Sequence, residues 1–205
     1  MHSEKRRGKP AVVFAVCLIV IAATVLIMMG IRAKYITSVP LSGTVTFEAN
    51  LADDVTLTEH QATREADGSY TLGVETTNDN SYVVMPGVDI DKDPSFTITN
   101  KSSIEVYLYV EIVDTSPGTV TYELTDKWDE LGITGRKVYV YNGTISQGVS
   151  QNIQILKDNK VYVSETYNPA SSEFELKFYG YMVQTEAGKT SQQIFMDNYP
   201  TAPTT

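Results

Sequence analysis

Cysteine is almost absent from this 205-residue chain, and the single example, Cys17, sits inside an apolar run. The rest of the sequence therefore has no means of building disulfides, cysteine zinc sites or a thiol nucleophile. Histidine is nearly as scarce. His2 stands near the start and His60 is the only other, which excludes the paired-histidine HExxH arrangement of metallopeptidases. Positive charge is missing where a nucleic-acid binder needs it. Residues 1–35 hold six of the 16 basic side chains and one acid, whereas the remaining 170 carry 10 basic and 24 acidic groups, a balance of −14 within a net charge of −9. A body this acidic repels phosphate backbones, so no nucleic-acid partner is expected.

What is present begins with an address. Ala11 to Met29 is a 19-residue stretch with Thr24 as its one clearly polar member, preceded by Lys5, Arg6, Arg7 and Lys9. As a helix it would reach about 28 Å, close to the roughly 30 Å hydrocarbon core of a bilayer. The basic flank keeps residues 1–10 in the cytoplasm and directs everything after Tyr35 outward. Residues 11–31 are therefore expected to be a signal peptide or a transmembrane helix, with the membrane and signal peptidase as partners. Cleavage points follow Ser38 and Gly43, the latter with a less suitable Leu41 before it. Tyr199 to Thr205 carries no sortase-type signal, so attachment is expected through the helix or through assembly.

After Pro40 the pattern turns to period two. Segments 44–47, 55–58, 69–72, 95–99, 105–113, 120–124, 137–141, 151–156, 160–163 and 173–183 read as strands rich in Thr, Tyr and Val. Pro86-Gly87, Asp93-Pro94, Asn142-Gly143 and Asp158-Asn159 supply turns between them. Ten short strands without interleaved helical patterns predict an all-β, antiparallel, jelly-roll-like β-sandwich. Its domain runs over 53–196, after a linker and candidate donor strand at 32–52 and before a polar tail at 197–205. Trp128 and Leu131 suggest one helical turn near 125–131. In 105–113, Val106, Leu108, Val110 and Ile112 predict the buried face and Glu105, Tyr107, Tyr109 and Glu111 an outward or rim-facing one.

From Tyr82 the chain reads YVVMPGVDIDKDPSFTIT, then the polar Asn100-Lys101-Ser102-Ser103 and the strand from Val106. Pro86, Gly87, Lys92, Asp93 and Pro94 are the residues by which this segment resembles the TasA/camelysin-like family of exported Gram-positive proteins with a SipW-type signal peptide. Trp128 with Leu131-Gly132, and Ile155 to Val161, add to the likeness, which covers roughly residues 41–185. The resemblance implies a biofilm-matrix fibre protein. Some camelysin-type members have been labelled metalloendopeptidases, an activity this chain lacks the residues for. Physically, Pro86-Gly87 suits a turn and Pro94 forces Asp93 extended, so the motif predicts a structural corner.

Other sites compete with plainer accounts. Asp89, Asp91 and Asp93 alternate like the opening of a calcium loop, but positions 6 and 12 hold Pro94 and Asn100 in place of Gly and Glu. A solvated polar edge is the simpler reading, leaving a weak calcium site as the alternative. Glu59-His60 offers a proton-transfer pair on paper, with a turn at a strand end as the plainer account of His60. Trp128 is expected to be an anchor under a loop. No catalytic, cofactor or metal residue is assigned.

The leading expectation is an exported, non-enzymatic cell-surface or extracellular-matrix protein that forms a homo-oligomer or filament by strand addition. Leu41 to Ala49 would complete the sheet of the next copy, with Val45 and Phe47 filling its pockets. The alternative is a membrane-anchored β-sandwich that displays a binding surface for a carbohydrate or protein partner. The fate of residues 11–31 separates the two, since an uncut helix favours display.

Overall fold

A computed structural model describes residues 54–66, 69–77, 84–100, 104–115, 117–168 and 175–203, together with the backbone of 36–40. The chain divides into two units, Met1–Lys34 and Tyr35–Thr205, and every described residue belongs to the second. The leader at 11–31, Val45 and Phe47 lie outside the described residues. Among those described, no helix is long and apolar enough to cross a membrane.

The described strands pair antiparallel throughout. They are β1 (Ile36–Pro40), β2 (Val55–Arg64), β3 (Tyr70–Thr76), β4 (Asp89–Asp91), β5 (Ser95–Thr99), β6 (Val106–Asp114), β7 (Val120–Leu124), β8 (Trp128–Glu130), β9 (Lys137–Tyr141), β10 (Ser150–Gln154), β11 (Leu156–Val163) and β12 (Leu176–Gln184). A five-stranded sheet has the order β1-β12-β6-β9-β8, a four-stranded sheet β10-β5-β2-β3, and a three-stranded sheet β4-β11-β7. The last two share a bend. The ribbon made by residues 89–99 against 150–163 pairs β5 with β10 on one side and β4 with β11 on the other. Between them Lys92 N donates to Asn159 O and Ile155 N to Pro94 O, so both chains turn the corner together.

One apolar cluster draws on all three sheets. Val106, Leu108, Val110, Ile112, Phe178 and Met182 of the five-stranded sheet meet Leu57, Phe96, Ile98 and Ile153 of the second and Ile90, Val161 and Val163 of the third. Each such side chain contributes about 1.5–3 kcal/mol on burial. Gly180 of β12 lies on this face, and a Cβ there would clash with the edge of the Phe96 ring at Cε1 and Cζ. Phe96 thus packs against bare backbone, a close approach that only glycine permits.

The other face of the five-stranded sheet is covered by a helix, α1 (Ser191–Asn198). Ile194 and Phe195 of α1 are buried against Tyr109, Val138, Val140, Tyr179, Tyr181 and Val183. Thr190 caps α1: its hydroxyl accepts from Gln193 N while the Gln193 side chain accepts from Thr190 N. This reciprocal box satisfies two of the orphan amides at the helix start.

Several expectations need correction. The tyrosine face of β6 is not uniformly outward: Tyr109 and Glu111 are buried beneath α1, with Tyr107 half-buried. The turn at 126–127 leads into β8, a strand where a helical turn was expected, because Trp128 pairs with Tyr141 and Asp129 with Val140. The polar tail cannot begin at 197, since Asp197 and Asn198 complete α1 and Tyr199 packs against Phe195 at 5.5 Å. Within the expected linker, Ile36–Pro40 is a strand. Asp158 and Asn159 do not end a strand; both adopt φ +55° inside β11, where the register against β7 shifts.

Candidate functional site

Pro86-Gly87 forms the expected turn, with Gly87 at φ +74° and its N–H donating to Val163 O at 3.0 Å. The residues after β4 then fold onto β2. Lys92 is buried, and its Nζ donates to Glu59 Oε2 at 2.5 Å while lying 5.6 Å from the centre of the Phe178 ring. Asp93 accepts from the His60 backbone N–H at 2.8 Å and lies 2.6 Å from His60 Nδ1. His60 is therefore a mid-strand residue of β2, not a turn residue. Glu59-His60 and Lys92-Asp93, separate features in the sequence, are one double clasp across the corner. With its cation and carboxylate matched, Glu59–Lys92 is a strut for the bend, since a buried charge needs a partner.

The three aspartates part company. Asp89 and Asp91 point outward from β4, with Lys160 Nζ 3.9 Å from the first and 3.2 Å from the second, while Asp93 is taken by His60. Among the described residues no three His, Cys, Asp or Glu side chains converge on a point where a metal could sit. Beside this pair a shallow groove of about 410 Å³ opens, lined by Ser69 and Tyr70 at the start of β3, Asp89 and Asp91 of β4, and Lys160 and Tyr162 of β11.

Trp128 is the expected anchor: it is buried, its Nε1 donates to Gln154 O at 3.0 Å, and its ring lies 5.9 Å from Phe96 and 5.8 Å from Tyr141. Asn100 is fully buried and its amide donates to Ile104 O and Ile145 O, so it fastens the end of β5 to the chain that follows.

The reading of the sequence missed a charged network under α1. Glu111 accepts from Arg136 Nε and Nη2, both at 2.7 Å, and from the Tyr181 hydroxyl at 3.0 Å. Arg136 Nη1 donates to Tyr199 O at 2.6 Å, and its guanidinium lies 5.0 Å from the Phe195 ring centre. The hydrogen bonds that Arg136 donates to Glu111 raise its pKa. Burial pushes the phenols of Tyr109, Tyr181 and Tyr199 far above their ordinary value, with Glu111 adding to the effect at Tyr181. These phenols stay protonated near neutrality: Tyr109 donates to Ser191 O and Tyr181 to Glu111, while the Tyr199 hydroxyl is buried without a hydrogen-bond partner among the described residues. The visible hints were Arg136 in a turn and the Thr190-x-x-Gln193 capping box, which marks a helix start.

Sheet edges are the remaining feature relevant to assembly. β1 lies along β12 in the register Ile36 with Val183 to Pro40 with Tyr179. The outer strand β3 exposes Leu72 and Val74, and β2 pairs with it through a bulge near His60 to Ala62. No family model matches this chain, and no curated protein or solved structure matches it either.

Proposed function

We propose that this chain is an exported, non-enzymatic structural subunit of a cell surface or extracellular matrix. It is TasA/camelysin-like in kind, its sheets form a jelly-roll-like sandwich, and its copies join into fibres by strand addition. The observation that carries this reading is β1. This strand, which follows the apolar leader in the sequence, pairs with β12 along one edge of a five-stranded sheet, a position that strand exchange between copies can use.

Cleavage after Ser38 would split β1, and cleavage after Gly43 would remove it. Either cut opens the β12 edge, and the donor segment of the next copy, Leu41 to Ala49 after the first cut or Thr44 to Ala49 after the second, can then occupy it. A head-to-tail contact of this kind continues as a filament when its rotation does not close. Docking Val45 and Phe47 is worth about 3–6 kcal/mol together on transfer scales.

Electron microscopy and sedimentation of three exported forms test the reading: the mature chain with its start fixed by mass analysis, a chain beginning at Asp53, and the mature chain with Val45→Asp and Phe47→Asp. Fibres from the first alone are expected. Fibres from the Asp53 form, or none from the mature chain, would transfer the weight to a membrane-anchored display module.

A further inference from the structure

The outward face of the three-stranded sheet is organised in a way that the assembly reading does not use. On β4 and β11, Ile90 and Val161 point into the core and face each other in register. Their neighbours therefore point outward as two cross-strand pairs, Asp89 opposite Tyr162 and Asp91 opposite Lys160. Tyr162 is 36% exposed, a large aromatic ring left in water beside charged groups. Tyr70, on the facing wall of the groove, is partly buried against the apolar core.

We infer that this groove is a binding site for a neutral saccharide. A sugar ring presents an apolar C–H face and a rim of hydroxyl groups that both donate and accept. Tyr162 offers a flat apolar surface for the first. Asp89 and Asp91 accept from hydroxyls, and Lys160 between them donates, so one acceptor–donor–acceptor row matches adjacent hydroxyls on a ring. The volume of about 410 Å³ falls within the range of small-ligand sites.

Charge narrows the class. Two carboxylates and one ammonium leave the groove at −1, inside a body whose balance from residue 36 onward is −14. An anionic polysaccharide would be repelled at long range and at contact. A divalent cation fares no better, because the Lys160 ammonium already occupies the space between the two carboxylates. A second depression, beside Glu123 and Asp158, has no aromatic side chain in its lining, so it lacks the stacking surface that a ring needs.

Saturation-transfer NMR and calorimetry on the full exported chain test the site, with tetrasaccharides of glucose, N-acetylglucosamine, galactose and mannose as probes and polygalacturonate as the anionic control. Binding of at least one neutral probe and not of the control is expected. Tyr162→Ala should weaken it about tenfold or more, Tyr162→Phe should retain it because the stacking face survives, and Asp91→Asn should weaken it by a comparable factor. Thermal midpoints of the variants check that the fold is intact. Binding of none of the four probes, binding that Tyr162→Ala leaves unchanged, or binding that requires added calcium would each overturn the proposal. Fibres that bind no sugar would count against this site alone, and sugar binding without fibres against the strand-addition reading alone.

Discussion

The two faces of the five-stranded sheet are buried by different chemistry. Toward the other sheets, β6 and β12 present Val106, Leu108, Val110, Ile112, Phe178 and Met182, an apolar surface with no polar group to satisfy. Toward α1 the same strands present Tyr109, Glu111 and Tyr181, joined by Arg136 and capped by Phe195 and Tyr199. The first face is held chiefly by area, with the Lys92 ammonium over the Phe178 ring beside it, and tolerates changes that preserve volume. The second is held by matched charges and ring contacts, including Tyr181 to Tyr199 at 4.4 Å and Tyr109 to Phe195 at 5.1 Å, and fails when one member is removed. A sheet can thus be sealed on its second side by one eight-residue helix when the charges beneath it are matched, even with Asn198 Oδ1 and the Tyr199 hydroxyl buried without a hydrogen-bond partner among the described residues.

The largest expected effect breaks the second face. Arg136→Ala leaves Glu111 buried with only the Tyr181 hydroxyl among the partners described for it, and should cost about 3–5 kcal/mol in urea unfolding. Replacing both members, Glu111→Leu with Arg136→Met, should cost far less, because no charge is then stranded. A double variant as unstable as the single one would refute the account of the pair as a matched strut. Next in size is a change on the first face. Gly180→Ala puts a methyl group where Phe96 packs, and overpacking of this kind costs about 1–3 kcal/mol. Phe96→Leu in the same chain should recover part of that loss. An unaltered midpoint for Gly180→Ala would mean that the ring has room to move.

The contrast also explains what could be seen in the sequence. Period-two runs located β2, β3, β5 to β7 and β9 to β12, because half-buried strands must alternate. Val106, Leu108, Val110 and Ile112 announced their own face. The neighbouring Tyr109 and Glu111 did not, since an amphipathic tyrosine and a carboxylate read as exposed until a helix from eighty residues away covers them. β4 and β8 have three residues each, too few for a period to register. The Lys92-Asp93-Pro94 corner was legible through Pro94, but its clasp on Glu59 and His60 depends on a contact 33 residues distant. Asp89, Asp91 and Asp93 looked equivalent on an extended segment; the bend after β4 separates the third from the other two.

A third test uses pH to tell the faces apart. The Tyr109, Tyr181 and Tyr199 phenols are raised in the folded state, chiefly by burial. Their contribution is fully present below the unfolded tyrosine pKa of about 10 and is lost as pH rises toward the folded values, by about 1.4 kcal/mol per pH unit for each phenol. Alkaline unfolding should therefore begin above about pH 10. Tyr181→Phe should flatten the slope of stability against pH in that window, whereas Gly180→Ala should lower stability without changing the slope. Equal slopes for Tyr181→Phe and the parent chain would remove this phenol from the linkage. Tyr122, raised by burial outside the helix-covered face, contributes with Tyr109 and Tyr199 to the slope that remains.

The smallest effect isolates the helix from the sheet beneath it. Thr190 closes the start of α1 through the hydroxyl that accepts from Gln193 N at 3.2 Å, and losing such a cap costs about 1 kcal/mol. Because α1 is short and joined to the sheet through few side chains, that loss should appear first as local opening and not as global unfolding. In Thr190→Ala, amide hydrogen exchange in residues 191–198 should quicken several-fold, while the amides of Leu108 and Val110 in the middle of β6 keep their protection. Thr190→Ser should restore the parent rates, since a serine hydroxyl can accept the same bond. If Thr190→Ala instead accelerated exchange in α1 and β6 equally, the two faces would open as one cooperative unit, and the distinction between a core held by area and one held by matched polar contacts would have no dynamic consequence.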